Sequence, residues 1–126
     1  MVSSKINEQG LPEGYPFQSG WEVTPRRVKA MLDGGEDFLL LDCRLPKEYA
    51  LAKVDSAVFV PMQELPGRIN ELDAYADRPI VVFCHGGVRS MRTTAFLREQ
   101  GFDNVMSMAG GIDLWSIDVD SAVPRY

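Results

Sequence analysis

The chain alternates stretches that are apolar at every position with stretches of helical periodicity. That alternation constrains the fold more than any other feature. "FLLLD" (Phe38 to Asp42), "AVFV" (Ala57 to Val60), "PIVVF" (Pro79 to Phe83) and the weaker "VMSM" (Val105 to Met108) are continuous runs, not period-two patterns. A strand that must hide both faces reads this way, as strands do in parallel sheets covered by helices on both sides. Between the runs lie helix signals. Thr24-Pro25 supplies a capping hydroxyl and a proline for the first helical position; Val28, Met31 and Leu32 follow at helical spacing, and Gly34-Gly35 stops them. Pro46 opens "PKEYAL", Leu65, Ile69 and Leu72 share a helical face, and "MRTTAFLREQG" aligns Met91 with Ala95 before stopping at Gly101. Strands alternating with helices give an α/β domain with a mostly parallel sheet and right-handed crossovers.

With 126 residues, one domain is expected. No repeat, low-complexity segment or linker interrupts Gly20 to Val119. Residues 1–19 read as an irregular lead-in and residues 20–126 as the domain. The lead-in lacks the apolar core of a secretory signal, and no run approaches the ~20 apolar residues that cross a membrane. A cytoplasmic protein with no membrane partner is the expectation. Lys and Arg number 13 against 18 Asp and Glu, a net charge of −5. An acidic surface argues against nucleic acid, whose phosphates it repels. The two cysteines, Cys43 and Cys84, are too few for a disulfide scaffold. The single histidine, His85, and the absence of CxxC leave no zinc-ligand set. No metal and no cofactor are expected.

In such folds ligands bind at the carboxyl ends of the strands. Three segments fall there: "DCR" (Asp42 to Arg44), "CHGGVRS" (Cys84 to Ser90) and "AGGI" (Ala109 to Ile112). In the second, four residues separate Cys84 from Arg89. Gly86 and Gly87 allow a tight curl, and a curl running into a helix turns successive N–H groups inward to form an anion nest. Cys84 would sit at its base, its thiolate stabilised by the loop amides and by Arg89. A cysteine at a strand end is commonly just a small buried apolar residue. The glycine pair, the arginine and the strand-to-helix seam favour the reactive reading for Cys84. Cys43 has no such loop and reads as buried core, with a resolving cysteine that forms a disulfide with Cys84 as the less favoured alternative. His85 reads equally as a solvent-facing loop residue and as a pocket-wall donor to an anion.

These segments carry a resemblance. "LLDCRLPKEYALAKVDSAVFVPM" resembles the Asp-x-Arg, Glu-Tyr/Phe segment of rhodanese domains; "VVFCHGGVRS" is similar to their active-site loop, and "MAGGIDLW" to their closing glycine pair and tryptophan. The likeness runs from Trp21 to Trp115. It implies a single-domain sulfurtransferase with a mostly parallel sheet of about five strands and helices on both faces. Cys84 matches the nucleophile. It would take the outer sulfur of a small anionic donor such as thiosulfate and pass it, as a persulfide, to a thiol, cyanide, or a thioredoxin-like or sulfur-carrier protein. His85, Gly86, Gly87, Val88, Arg89 and Ser90 would form the substrate-binding loop, with Arg89 as the fixed cation. Asp42 and Arg44 would brace that loop, with Arg44 alternatively at the entrance. Gly110 and Gly111 would permit a tight turn, and Trp115 would pack. The chain departs from the family at Ala52-Lys53-Val54, where Gly-His-Ile is common, at Ser56 and at Cys43.

Two rivals stand beside this reading. One is a cysteine-loop phosphatase or arsenate reductase, for which the loop lacks an evident general acid, Asp42 being the one residue left open for that role. Such loops carry five intervening residues, one more than here. The other is a persulfide carrier or binding module without turnover.

Overall fold

The computed structural model describes residues 5–126. The lead-in expected over residues 1–19 therefore lies outside the described residues at positions 1–4. Five strands and five α-helices follow in order: β1 (Glu22–Val23), α1 (Pro25–Asp33), β2 (Leu39–Asp42), α2 (Pro46–Leu51), β3 (Val58–Phe59), α3 (Leu65–Arg68), β4 (Ile80–Phe83), α4 (Val88–Glu99), β5 (Val105–Met108) and α5 (Gly111–Asp118). The sheet order is β1-β5-β4-β2-β3, and every pairing is parallel. This is the mostly parallel sheet of about five strands expected from the sequence.

Two cores explain the continuous apolar runs of β2 and β4, whereas the run at β3 is not buried on both faces, because β3 is an edge strand with Val58 43% exposed. Along β2 and β4, Leu39, Leu41, Ile80 and Val82 enter one core, with Leu65, Leu72 and Leu97 from the helical side. Leu40, Val81 and Phe83 enter the other, with Val28, Met31, Ile112 and Trp115. Successive residues thus bury on opposite faces, so no polar position is left in either strand's interior. Leu41 is fully buried, and truncating it to alanine would cost about 2–5 kcal/mol.

α1 begins as its sequence dictates. The Thr24 hydroxyl accepts from the Arg27 amide at 3.1 Å, Pro25 takes the first position, and Val28 and Met31 face the core. The Leu65/Ile69/Leu72 helix is shorter than its spacing implies. Only Leu65–Arg68 is α-helical; Met62–Glu64 and Ile69–Tyr75 are 3₁₀ turns. Pro66 and Gly67 occupy this segment, and neither supports a long α-helix. β1 and α5 were not expected. Residues 5–19 carry an antiparallel bridge between Ile6 and Pro12, and Leu11 is buried with Ala109 and Leu114.

β4 lies between β2 and β5. The chain therefore leaves β4 in the direction opposite to that taken from β2 to β3. Such a reversal opens a crevice at the carboxyl ends of the two central strands. Asp42 and Phe83 are register partners, which places "DCR" beside "CHGGVRS".

Candidate active site

The loop after β4 wraps its own cysteine. Cys84 Sγ accepts hydrogen bonds from the Gly87 amide at 3.1 Å and the Ser90 amide at 3.3 Å, and its thiol reaches Ser90 Oγ at 3.4 Å. The sequence pointed to amides from His85 to Arg89. The sulfur's amide donors are Gly87, within that range, and Ser90, just beyond it in the first turn of α4. Cys84 is only 1% exposed, while Gly86 and Val88 of the same loop are open to solvent. The sulfur is thus enclosed, with N–H groups turned toward it.

The two loop glycines are not equivalent. Gly87 adopts φ 114° at the start of α4, a region that L side chains rarely enter. Gly86 keeps an ordinary backbone, and a Cβ there would meet nothing within 4 Å. The glycine pair after β5 does more than turn the chain. The Ile112 and Asp113 amides at the start of α5 donate to the carbonyls of Cys84 (2.9 Å) and His85 (3.1 Å). Gly111 has φ 60°, and a Cβ on it would lie 2.5 Å from the Cys84 carbonyl oxygen. The start of α5 therefore holds the beginning of the cysteine loop by its backbone, through a contact that only glycine permits.

Arg89 does not donate to the sulfur. Its guanidinium forms a forked pair with Glu48 on α2, at 2.5 and 2.9 Å. The cation expected at the site is thus also the partner of an internal carboxylate. Glu48 also accepts from the Leu45 amide at 3.1 Å and from the Tyr126 hydroxyl at 2.8 Å. Those partners fix the carboxylate where Arg89 can reach it from the first turn of α4. The Arg89 hydrogen bonds hold the Glu48 carboxyl down at about 2, against an opposing contribution from burial. The roles of Glu48 and Tyr126 escaped the sequence reading because the partners are far apart along the chain: Glu48 is 41 residues from Arg89 and 78 from Tyr126.

Asp42 and Arg44 are both fully buried and paired through Nη2–Oδ2 at 2.7 Å and Nε–Oδ1 at 2.9 Å. Arg44 also donates to the Ala52 carbonyl at 2.7 Å and to Tyr126 Oη at 2.9 Å. It does not face an entrance. It ties α2 and Tyr126 to the end of β2, and its hydrogen-bond partners among the described residues include none from the cysteine loop.

His85 packs edge-on against the Tyr126 ring, with centroids 4.3 Å apart. Tyr15 was also missed by the sequence reading. Its hydroxyl donates to Glu22 at 2.7 Å and accepts from the Gly110 amide at 3.1 Å. Cys43 is 1% exposed, its thiol points at the Phe83 carbonyl at 3.4 Å, and burial pushes that thiol up to about 12. Both cysteines are free. Trp115 is packed in the core. A separate groove of about 950 Å³, lined by Tyr49, Lys53, Trp115 and Val123, contains no residue of the cysteine loop.

Residues 24–118 match the family model described as a rhodanese-like domain. A sulfurtransferase of Allochromatium vinosum is 35% identical over 95 residues, covering 75% of this chain and 87% of that one. An adenylyltransferase and sulfurtransferase, MOCS3-1, of Zea mays is 29% identical, covering 99% of this chain but only 28% of the maize protein. The crystal structure of a rhodanese-like domain protein from Staphylococcus aureus superposes with a TM-score of 0.72 at 23% identity, over 84% of this chain and 98% of that one.

Proposed function

The chain belongs to the rhodanese-like domain family, and from that premise we propose that it is a sulfurtransferase working through a persulfide on Cys84. The observation that carries the reading is the geometry at the sulfur. Two amides and a serine hydroxyl lie within hydrogen-bonding distance of Cys84 Sγ. Donors fixed in this way favour an anionic sulfur, whether thiolate or persulfide, without reorganising as charge develops. The Cys84 thiolate attacks the outer sulfur of thiosulfate. The S–S bond breaks and sulfite leaves with the electron pair. An acceptor thiolate or cyanide then attacks the outer persulfide sulfur, and the Cys84 thiolate is the leaving group.

Arg89 serves the donor. A guanidinium has five N–H groups, and Glu48 takes one from each terminal nitrogen. The remaining N–H groups are available to an incoming dianion. The site residues proposed are Cys84 as nucleophile; His85, Gly86, Gly87, Val88, Arg89 and Ser90 as the donor-binding loop; and Asp42 and Arg44 as supports. Residues 20–126 are proposed as the functional domain. No helix among the described residues is long and apolar enough to cross a membrane, and we place the protein in the cytoplasm, with small thiols or thioredoxin-like and sulfur-carrier proteins as acceptors. The phosphatase alternative is disfavoured because Asp42, its candidate acid, is fully buried against Arg44.

Initial rates measured with thiosulfate and cyanide test this. Parallel double-reciprocal lines, abolished in Cys84→Ser, support it. Intersecting lines, or activity retained in Cys84→Ser, contradict it.

A further inference from the structure

Beneath the loop lies a buried hydroxyl pair. Ser107 Oγ on β5 and Ser90 Oγ on α4 are 2.7 Å apart, and both residues are 0% exposed. Ser90 Oγ is also 3.2 Å from the Gly87 carbonyl and 3.4 Å from Cys84 Sγ. Among the described residues, the Ser107 hydroxyl has no hydrogen-bond partner other than Ser90. That fixes the proton directions. Were Ser107 the acceptor, its own buried proton would have no acceptor, at a cost of about 1–3 kcal/mol. Ser107 therefore donates to Ser90.

Ser90 then has one proton and one remaining lone pair. While Cys84 is a thiol, its S–H fills that lone pair and the Ser90 proton goes to the Gly87 carbonyl. When Cys84 loses its proton, the S–H donor disappears. The Ser90 O–H is then free to turn to the sulfur, joining the amides of Gly87 and Ser90. We propose that Ser107 is a positioning residue for the reaction: by donating to Ser90, it commits the Ser90 hydroxyl to act as a donor to the Cys84 sulfur when that sulfur is an anion. The inference rests on Cys84 acting as an anionic nucleophile.

The other ionisable groups near the sulfur come from several elements: Arg89 on α4, Cys43 after β2 and Tyr15 before β1. Glu48 on α2 reaches the site through Arg89, and His85 lies in the loop itself. Replacing Ser107 alters none of these side chains.

The test is an ultraviolet titration of the Cys84 thiolate in the full chain with no sulfur donor present. Cys43, held up to about 12 by burial, stays silent across the working range. Ser107→Ala is expected to move the midpoint of Cys84 ionisation upward by up to about one pH unit, a roughly tenfold loss of thiolate below the midpoint. Ser107→Thr, which keeps the hydroxyl, is expected to keep the parent midpoint. An unchanged midpoint in Ser107→Ala, or equal shifts in both variants, overturns the proposal. If thermal unfolding shows that Ser107→Ala does not fold, Ser107→Val, which fills the space without a hydroxyl, decides in the same titration: an upward shift supports the relay and no shift overturns it. A shift in Ser107→Ala from a protein that forms no persulfide with any donor upholds the relay while sinking the sulfur-transfer reading.

Discussion

Arg89 and Glu48 form a forked ion pair, 2.5 and 2.9 Å between the guanidinium nitrogens and the carboxylate oxygens, joining the first turn of α4 to α2. The arginine at the end of the cysteine loop is thus already paired with an internal carboxylate. Under the proposed function a sulfur donor would share this arginine with Glu48, and the pair would set how strongly the loop attracts anions.

Removing the competing charge should strengthen donor capture. Glu48→Gln is expected to lower the KM for thiosulfate several-fold with little change in kcat. Arg89→Ala is expected to lower kcat/KM by roughly tenfold or more, about 1.4 kcal/mol at the lower limit. Steady-state kinetics check both. Parent-like thiosulfate kinetics in Arg89→Ala would remove Arg89 from the site.

The same pair gives a pH signature. The Glu48 carboxyl is held down at about 2 from an ordinary value of 4.5, chiefly by Arg89. A carboxyl with a depressed folded-state value stabilises the fold fully above its unfolded value, and this stability is lost as pH falls through the folded value. The stability difference between the parent and Glu48→Gln should therefore be constant above about pH 4.5, decline below it, and be lost near pH 2. The ionisation contributes at most about 3 kcal/mol. Denaturant melts across this range measure the difference. A gap that persists unchanged to pH 2 would show that Glu48 acts by packing rather than by charge.

Glycine substitutions separate the clamp from the curl. Gly111→Ala puts a Cβ against the Cys84 carbonyl at φ 60°. It should displace the loop and abolish most activity, beyond the ~1 kcal/mol typical of a left-handed alanine. Gly86→Ala has open space and ordinary φ, and should retain activity and unfolding temperature. Paired assays of rate and thermal unfolding distinguish the two; equal loss in both would argue against the α5 clamp.

The Asp42–Arg44 pair should behave as structure. Both side chains are fully buried, so Asp42→Ala strands a buried guanidinium at a cost of about 3–5 kcal/mol. Replacing both residues with apolar ones of similar size should recover part of that loss. Chemical denaturation of single and double variants tests the account, and additive losses would contradict it.

Much of this was legible in the chain. The apolar runs that became β2, β4 and β5 carry no alternation because each has a core on both faces, and Cys84 to Ser90 announced a strand-to-helix loop. β1 was not legible because two residues, Glu22–Val23, are too few to show a period. α5 was not, because it starts on glycine and buries Ile112, Leu114 and Trp115 with no amphipathic stripe. Arg89's partner Glu48, and Glu48's further partner Tyr126, could not be read from local pattern, since only the fold brings these distant residues together. Ser107 sits in the weakest apolar run, where its hydroxyl looked like a break in the pattern. It is the one polar side chain of β5 that the loop uses.

The central claim is that amide donors and a hydroxyl let Cys84 hold an added sulfur. Mass spectrometry after treatment with thiosulfate tests it most directly. The account predicts a gain of one sulfur atom located on Cys84, lost on adding cyanide and never formed in Cys84→Ser. No gain with thiosulfate or any other persulfide donor, or a gain that survives in Cys84→Ser, would contradict it.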